Sequence, residues 1–322
     1  MNRVTNILQI KYPIIQGGMG NISNAALTAA VSEAGGLGTI GCGTMSVNQV
    51  EEIILLTKQL TNKPFALNIA INVTPYTEQL IALSIKHEIP VVSLSAGNPS
   101  PYIPQLHEHK KIVLAIVASV THAQKAETAG ADILVAEGFE AAGINSNLEL
   151  TTFTLIPQIV EKVEKPVVAA GGIGNGKGLA AAFALGAEGV QVGTRFIATK
   201  EAPFHQNYKQ RLIEAQGKDA VIIGRSIGRI RRVLDTNYIR NLRNREMDGI
   251  SIAEFGRFTS ETQHVIGALQ GDLDNGFING GQVAGLINDI PSVKDLIDTM
   301  MYDAQKQMTQ SLKLLDFNPN QA

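Results

Sequence analysis

The stretches PVVAAGGI (166–173) and LGAEGVQVGTRF (185–196) decide the fold of this chain. Each is a short, β-branched apolar run that ends in glycine, and a segment of helical length, 178–185, separates the two runs. Runs that are apolar throughout, without alternation, are typical of strands buried on both faces of a parallel sheet. The pair therefore predicts two consecutive β–α units, each ending in a glycine-rich loop.

The same unit recurs throughout the first two hundred residues. The expected strands are Pro13–Gln16, Leu37–Ile40, Phe65–Ile69, Val91–Ser95, Ile112–Val117, Ile133–Ala136, Val167–Ala170 and Gly189–Val192. Helices are expected at Asn24–Ala34, Val47–Leu60, Thr77–Lys86, Pro101–His109, Thr121–Ala129, Phe153–Val163 and Gly178–Leu185. Eight such units in sequence predict an α/β fold, a closed (β/α)8 TIM barrel, with an open doubly wound sheet as the structural alternative.

The alternation of strands and helices ends near Ala202, which suggests that the chain has three parts. We expect the barrel with its cofactor site over 1–202, a helical insertion or lid after strand eight over 203–280, and closing helices over 281–322 that end in a frayed tail, DFNPNQA (316–322). The basic stretch Arg225–Arg245 is interpreted as a solvated helical face, or alternatively as a surface for an acidic carrier protein. Only Val221–Ile223 resembles a strand in this region.

Composition restricts the classes of function. A net charge of -2 gives no reason to expect nucleic acid or an anionic membrane as partner, and Trp is absent. The lone Cys42 excludes an internal disulfide and a cysteine-ligated cluster. No run approaches the ~18 apolar residues that span a bilayer. We therefore expect a soluble, cytoplasmic protein that acts on a small molecule and carries no metal.

Functional groups of such barrels lie at the C-terminal ends of the strands, where this sequence is rich in glycine. The loops after strands seven and eight form the usual phosphate site of the fold, so Gly171, Gly172, Gly193 and Thr194 are the expected phosphate donors. The alternative is that these glycines only permit tight turns.

Two polar residues end apolar strands. Asn68 is either a handle for a ligand ring or a buried amide satisfied by a neighbouring turn. Glu137 follows the run ILVA (133–136), where a carboxylate is costly unless it is paired or faces the site. We expect both to contact a ligand.

Several of these segments together resemble one family, the flavin-dependent nitronate monooxygenases and flavin-dependent enoyl-acyl-carrier-protein reductases. The resemblance covers nearly the whole chain. It rests on YPIIQGGM (12–19), AVSEAGGLGTIG (30–41), KPFALNI (63–69), AGNPS (96–100), AEGFEAAG (136–143), PVVAAGGI (166–173), LGAEGVQVGTRF (185–196) and HQNYK (205–209). AGNPS directly after strand four and GDLDNGFINGGQVAGL (271–286) are more similar to the reductase branch.

The resemblance implies an FMN-dependent oxidoreductase that uses NADH or NADPH to reduce an activated C=C bond, such as that of an enoyl-acyl-carrier-protein in fatty acid biosynthesis. The alternatives are a nitronate monooxygenase that uses O2 and a flavin-binding protein without turnover. A homodimer is also implied. Together with the strand-end rule, the resemblance assigns the FMN contacts to Gly17, Gly18, Met19, Asn68, Ala118, Glu137, Gly143, Gly171, Gly172, Gly193, Thr194 and Gln282.

The chain departs from the family pattern after strand six. The family loop reads EAGGH, and its histidine is thought to act as the acid or base, whereas Ile144 stands at that place here. An aliphatic side chain cannot transfer a proton. Asn145 can donate a hydrogen bond to a substrate carbonyl, so it is the candidate catalytic residue, although it cannot serve as a general base.

Overall fold

Eight parallel strands form a closed barrel in the computed structural model, which describes residues 2–315. All eight predicted strands are confirmed, with ends that shift by at most one residue. They are β1 (Ile14–Gln16), β2 (Gly38–Gly41), β3 (Phe65–Ala70), β4 (Val91–Ser95), β5 (Ile112–Val117), β6 (Ile133–Glu137), β8 (Val167–Ala170) and β9 (Gly189–Val192).

The strand order is β1-β9-β8-β6-β5-β4-β3-β2. A parallel bridge between Ile15 and Leu37 joins the two ends of this order, because it pairs β1 with the residue before β2. Gln16 N–H also donates to the Leu37 carbonyl at 2.9 Å. The closed barrel is therefore the correct alternative, and the open doubly wound sheet is wrong.

Helices surround the barrel, and the seven predicted ones are present with small shifts at their ends. The helices are α1 (Arg3–Leu8), α2 (Ala25–Glu33), α3 (Val47–Leu60), α4 (Thr77–Lys86), α5 (Ile103–Glu108), α6 (Val120–Thr128), α7 (Thr152–Val160), α8 (Gly176–Ala184), α9 (Thr194–Ile197), α10 (Gln206–Glu214), α11 (Asn237–Met247), α12 (Ile252–Phe258), α13 (Glu261–Leu269) and α14 (Val293–Leu314). The start of α3 shows the sequence logic: the Ser46 side chain and Gln49 form a reciprocal capping box.

Two apolar layers hold the barrel. One lies between the strands and the outer helices. The other fills the barrel interior and includes Val4 and Leu8 of α1, a helix that the sequence analysis did not predict. The tail 316–322, predicted to fray, lies outside the described residues. No described helix is long and apolar enough to cross a membrane.

A second sheet stands beside the barrel mouth. It contains three antiparallel strands in the order β10-β11-β7, namely β10 (Ala220–Ile223), β11 (Arg231–Leu234) and β7 (Gly143–Ile144). This sheet corrects the helical, solvated interpretation of Arg225–Arg245, which holds only for α11. In β11 all four residues are buried, Arg231 and Arg232 included, because β11 is the central strand of the sheet.

Candidate active site

A cavity of about 1360 Å³ opens at the C-terminal ends of the barrel strands. It gathers side chains and backbone from residues that are far apart in the chain. Of the predicted FMN contacts, those that line this cavity are Gly17, Gly18, Met19, Asn68, Ala118, Glu137, Gly143, Gly171, Gly172, Gly193 and Thr194. The candidate catalytic residue Asn145 lines it as well.

Gln282 is the exception. Its side chain is exposed and does not line the cavity, whereas the adjacent Gly281 and Val283 do. Its backbone N–H donates to the Glu140 carbonyl at 3.0 Å. The expected contact between Gln282 and the cofactor therefore has no support in the structure, and the residue instead joins the closing segment to the loop after β6.

The loops after β8 and β9 form a cradle of free backbone donors. Gly171 and Gly172 have φ values of 94° and 73°, a left-handed conformation that favours glycine. Within residues 2–315, no hydrogen bond is donated by the N–H groups of Gly171, Gly172, Gly193 or Thr194. Neighbouring N–H groups without partners are suited to an anion. The cradle thus fits the phosphate of FMN.

Thr194 adds a hydroxyl to this cradle. Its Oγ1 accepts the Gly281 N–H at 3.1 Å, which fixes the side chain and leaves the hydroxyl proton free to donate. A Cβ built on Gly193 would meet no atom within 4 Å, because this glycine faces the open cavity. The space beside the free donors therefore holds no atom of residues 2–315.

The loop after β1, which lies beside β9, and the end of β3 form a further part of the cavity wall. A Cβ on Gly18 would lie 2.6 Å from Asn68 Oδ1, so only glycine allows this loop to approach the amide. Asn68 Nδ2 donates to Ser93 Oγ and Ser95 Oγ, both at 3.2 Å. The amide is held by its nitrogen, and its oxygen is presented beside Gly18 at the cavity wall.

Glu137 ends β6 and lines the cavity. Within the described chain, no side-chain or N–H donor gives a hydrogen bond to its carboxylate. Burial raises the pKa of Glu137 to about 7, because the charged form loses hydration without gaining a partner. A carboxyl group of this kind changes charge near neutral pH and can accept or donate a hydrogen bond to a ligand.

The shift predicts a pH dependence of stability in the cofactor-free protein. Between the ordinary pKa of 4.5 and about 7, the unfolded chain loses the Glu137 proton while the folded protein keeps it. Stability is therefore expected to fall as pH rises through this window, by roughly 3 kcal/mol from this group. Urea unfolding of the wild type and Glu137→Gln between pH 4.5 and 8 measures the difference. If the free energy of unfolding depended on pH in the same way in both proteins, the raised pKa of Glu137 would be contradicted.

A carboxylate braces the loop after β6. Glu140 accepts hydrogen bonds from Thr152 N at 2.9 Å and Thr152 Oγ1 at 3.0 Å. Thr152 Oγ1 also lies 2.9 Å from the Gly171 carbonyl, within the phosphate cradle. The loop after β6 and the cradle are thus linked through one threonine.

Ile144 and Asn145, which stand where the family has its histidine, differ from each other in their surroundings. Ile144 is 49% exposed, and within β7 it pairs with Arg231 of β11. Asn145 Nδ2 donates to the carbonyls of Ala141 at 2.9 Å and Gly143 at 3.2 Å. These two bonds occupy both amide hydrogens, which favours a bracing role for Asn145 over the donation to substrate expected from the sequence.

Further residues that were not predicted as site residues line the cavity, among them Arg231, Glu261, His264 and Asn279. Arg231 was assigned to a solvated helical face, and the others lie in the predicted insertion. One available signal was His264, a histidine within an apolar helical run, HVIGAL (264–269).

The family model described as nitronate monooxygenase matches residues 1–79 and 70–303 of this chain. A curated relative, "Probable nitronate monooxygenase" of Staphylococcus saprophyticus, is 34% identical over an alignment that covers 74% of this chain and 80% of the relative. A second is "(3aS,4S,5R,7aS)-5-hydroxy-7a-methyl-1-oxo-octahydro-1H-indene-4-carboxyl-CoA dehydrogenase" of Rhodococcus jostii. It is 30% identical, with 95% of this chain and 96% of the relative covered.

Two solved structures are similar to this chain over nearly its whole length. FabK from Thermotoga maritima superimposes with a TM-score of 0.91 and 39% identity, covering 98% of this chain and 99% of the other. Nitroalkane oxidase from Streptomyces ansochromogenes gives a TM-score of 0.81 and 26% identity, with 96% and 99% covered. Both similarities extend across the barrel and the second sheet.

Proposed function

Since this chain belongs to the nitronate monooxygenase family of flavin-dependent oxidoreductases, we propose that it binds FMN and reduces the activated C=C bond of an enoyl thioester with NADH or NADPH. The thioester is carried by coenzyme A or by an acyl carrier protein. The proposal goes beyond family membership in three respects: the form of the flavin, the electron donor and the substrate.

Support for FMN comes from the cradle. The free N–H groups of Gly171, Gly172, Gly193 and Thr194 would hold the phosphate, and the Thr194 hydroxyl would add one donor. Asn68, Glu137 and the loop that begins at Gly17 line the wall against which a ring system would lie. When bound, FMN supplies the transfer of hydride between nicotinamide and substrate.

The observation that carries the choice of reaction is the aliphatic side chain at position 144. Removal of a proton from a nitroalkane needs a base, and Ile144 cannot be one. Reduction of an enoyl thioester needs only a polarised carbonyl and a proton donor, which other residues can provide. The 39% identity to FabK over 98% of the chain supports the same choice.

Support for a thioester comes from the relatives. The Rhodococcus jostii relative is named for a carboxyl-CoA compound, and it covers 95% of this chain. The cavity of about 1360 Å³ exceeds the ~300–1,000 Å³ that ligand pockets typically enclose, so it has room for a substrate beside a cofactor.

A nitronate monooxygenase is the second candidate, favoured by the family description and by the Staphylococcus saprophyticus relative. An alkyl nitronate is already deprotonated, so its oxidation by O2 requires no base at position 144. Arg231, which lines the cavity, could bind such an anion.

Anaerobic stopped-flow absorbance of the FMN-loaded protein tests the proposal. We expect NADH or NADPH to bleach the flavin band rapidly and crotonyl-CoA to restore it. Bleaching by ethyl nitronate without a nicotinamide would instead support the second candidate. Failure of both nicotinamides to reduce the protein would contradict the reductase.

A further inference from the structure

Arg231 of β11 lies directly opposite Ile144 of β7 in the second sheet. Directly opposed residues of an antiparallel pair project from the same face of the sheet. The guanidinium is nonetheless buried, with 8% of the residue exposed, and it lines the cavity. Arg231 therefore places a permanent positive charge on β11, directly opposite Ile144, which stands where the family has its histidine.

Three side chains around this position carry buried polar atoms without a partner in the described chain. They are Arg231 Nη1, His264 Nδ1 and Asn279 Oδ1. Most buried polar groups find partners, and a buried donor without one costs about 1–3 kcal/mol. The three residues come from different segments, β11, α13 and the loop after α13, and all three line the cavity. Two of the three atoms, Arg231 Nη1 and His264 Nδ1, are donors, and their convergence indicates a site for a ligand oxygen.

The ring of Phe277 supports two of these groups. The Arg231 guanidinium carbon lies 5.1 Å from the Phe277 ring centroid, and the His264 ring stacks on Phe277 with centroids 5.1 Å apart and planes 14° apart. A guanidinium and an imidazole that pack against one aromatic ring lose little entropy when they bind a ligand. The pair is thus preorganised.

Glu261 lies close to Arg231 and His264 and balances the charge of Arg231, but it does not occupy their N–H donors. Its Oε1 lies 4.0 Å from Arg231 Nη2 and its Oε2 lies 3.6 Å from His264 Nδ1. Burial opposes its ionisation, but the nearby His264 ring, Arg231 and the Asn21 N–H outweigh burial and hold the pKa of Glu261 below its ordinary value. Both contacts are longer than normal hydrogen bonds, so the N–H donors of Arg231 and His264 remain available to a ligand.

The tautomer of His264 follows from its neighbour. His264 Nε2 lies 3.2 Å from Asn279 Nδ2, which acts as the donor in this orientation of the amide. Nε2 is then the acceptor, and the proton of the neutral ring is on Nδ1, the atom without a hydrogen-bond partner among residues 2–315. His264 therefore presents an N–H group beside the Arg231 guanidinium.

We propose that Arg231 and His264 bind the carbonyl oxygen of the substrate's thioester and supply the polarisation that Ile144 cannot, while solvent in the cavity supplies the proton. This inference rests on the proposed function. Glu261 and Asn279 act as positioning residues for the pair.

The reduced cofactor, when bound, would supply a hydride to the β-carbon, and the electrons of the C=C bond would move through the α-carbon to the carbonyl oxygen. Arg231 stabilises the negative charge on that oxygen. The oxygen stays bound to the Arg231 guanidinium and the His264 Nδ1–H, and the α-carbon takes its proton from solvent in the cavity. The nicotinamide is oxidised and the C=C bond is reduced.

Half-reaction kinetics of Arg231→Met test the inference, because only one half-reaction involves the acyl substrate. We expect NADH or NADPH to reduce the variant's flavin within about threefold of the wild-type rate. We expect crotonyl-CoA to re-oxidise it about 100-fold more slowly, the scale of losing one donor to a developing oxyanion. Arg231→Lys should recover part of the rate. Equal slowing of both half-reactions, or of neither, would overturn the inference.

His264→Gln provides a second variant should Arg231→Met fold poorly, and it should show the same selective loss. Arg243→Met is the matched control, since Arg243 is an exposed arginine of α11 outside the cavity lining, and both of its half-reactions should equal those of the wild type. A loss in this control equal to that in Arg231→Met would count against a specific site.

Calorimetric titration with butyryl-CoA separates this inference from the reductase proposal. If crotonyl-CoA cannot re-oxidise the wild-type protein, the reductase proposal is overturned. The titration then tests the carbonyl site independently of the reaction. At least tenfold weaker butyryl-CoA binding by Arg231→Met than by the wild type supports the carbonyl site. Equal binding by the two proteins, or none by either, overturns it.

Discussion

Gly193→Val should abolish retention of FMN while leaving the cofactor-free protein folded. The φ of Gly193 is -112°, which any residue can adopt, and a Cβ at this position meets no protein atom within 4 Å. The added side chain would instead fill the space beside the free N–H groups of the cradle, where we place the phosphate. We expect affinity for FMN to fall at least 100-fold, which is about 2.7 kcal/mol.

Flavin fluorescence during titration measures the affinity, and thermal unfolding without cofactor measures the fold. Gly256→Val is the matched control, because a Cβ on Gly256 of α12 also meets no atom within 4 Å and this residue does not line the cavity. Unchanged FMN affinity in Gly193→Val would show that the phosphate does not bind here.

Gly38→Val should destabilise the barrel by more than about 4 kcal/mol, a large fraction of the ~5–15 kcal/mol by which native domains are stable. A Cβ on Gly38 would lie 2.0 Å from the carbonyl oxygen of Thr28, which belongs to the backbone of α2. Since that backbone cannot move aside as a flexible side chain can, α2 must separate from β2. The Gly38 N–H would also lose its hydrogen bond to Ser32 Oγ, now 3.1 Å long.

The adjacent Thr39→Val is the control for Gly38→Val. Thr39 is equally buried in β2, but its Oγ1 has no hydrogen-bond partner in the described chain, so an isosteric methyl group should be neutral or stabilising by up to about 1 kcal/mol. Urea unfolding measures both variants. A Gly38→Val protein with wild-type stability would contradict the close contact between α2 and β2.

The barrel could be predicted because its signals are local. Strands such as Val91–Ser95 and helices such as Val47–Leu60 carry an apolar pattern that identifies them without knowledge of their neighbours. The closing bridge between Ile15 and Leu37 followed from the count of eight β–α units. The glycine-rich strand ends then located the cavity, since the carboxyl ends of parallel strands must lie on one side of the barrel.

The second sheet could not be predicted in the same way. β11 contains Arg231 and Arg232, which favour exposure when they are considered alone. Burial of Arg232 is stabilised by the carbonyls of Phe139 and Ala220, which accept its N–H groups at distances of 2.9–3.1 Å. These acceptors lie 12 and 93 residues away in the chain. No local pattern reveals partners at such separations.

The sequence by itself determined the barrel, the position of the cavity and the glycines that line the cavity at the ends of β8 and β9, because these depend on periodicity and on backbone freedom at single positions. Tertiary structure alone decided which polar side chains are available in the cavity. It occupied the donors of Asn145 within its own loop, turned Gln282 to solvent and brought Arg231 and His264 together over Phe277. The reason is that hydrogen-bond availability depends on distant partners, which only the folded chain brings together.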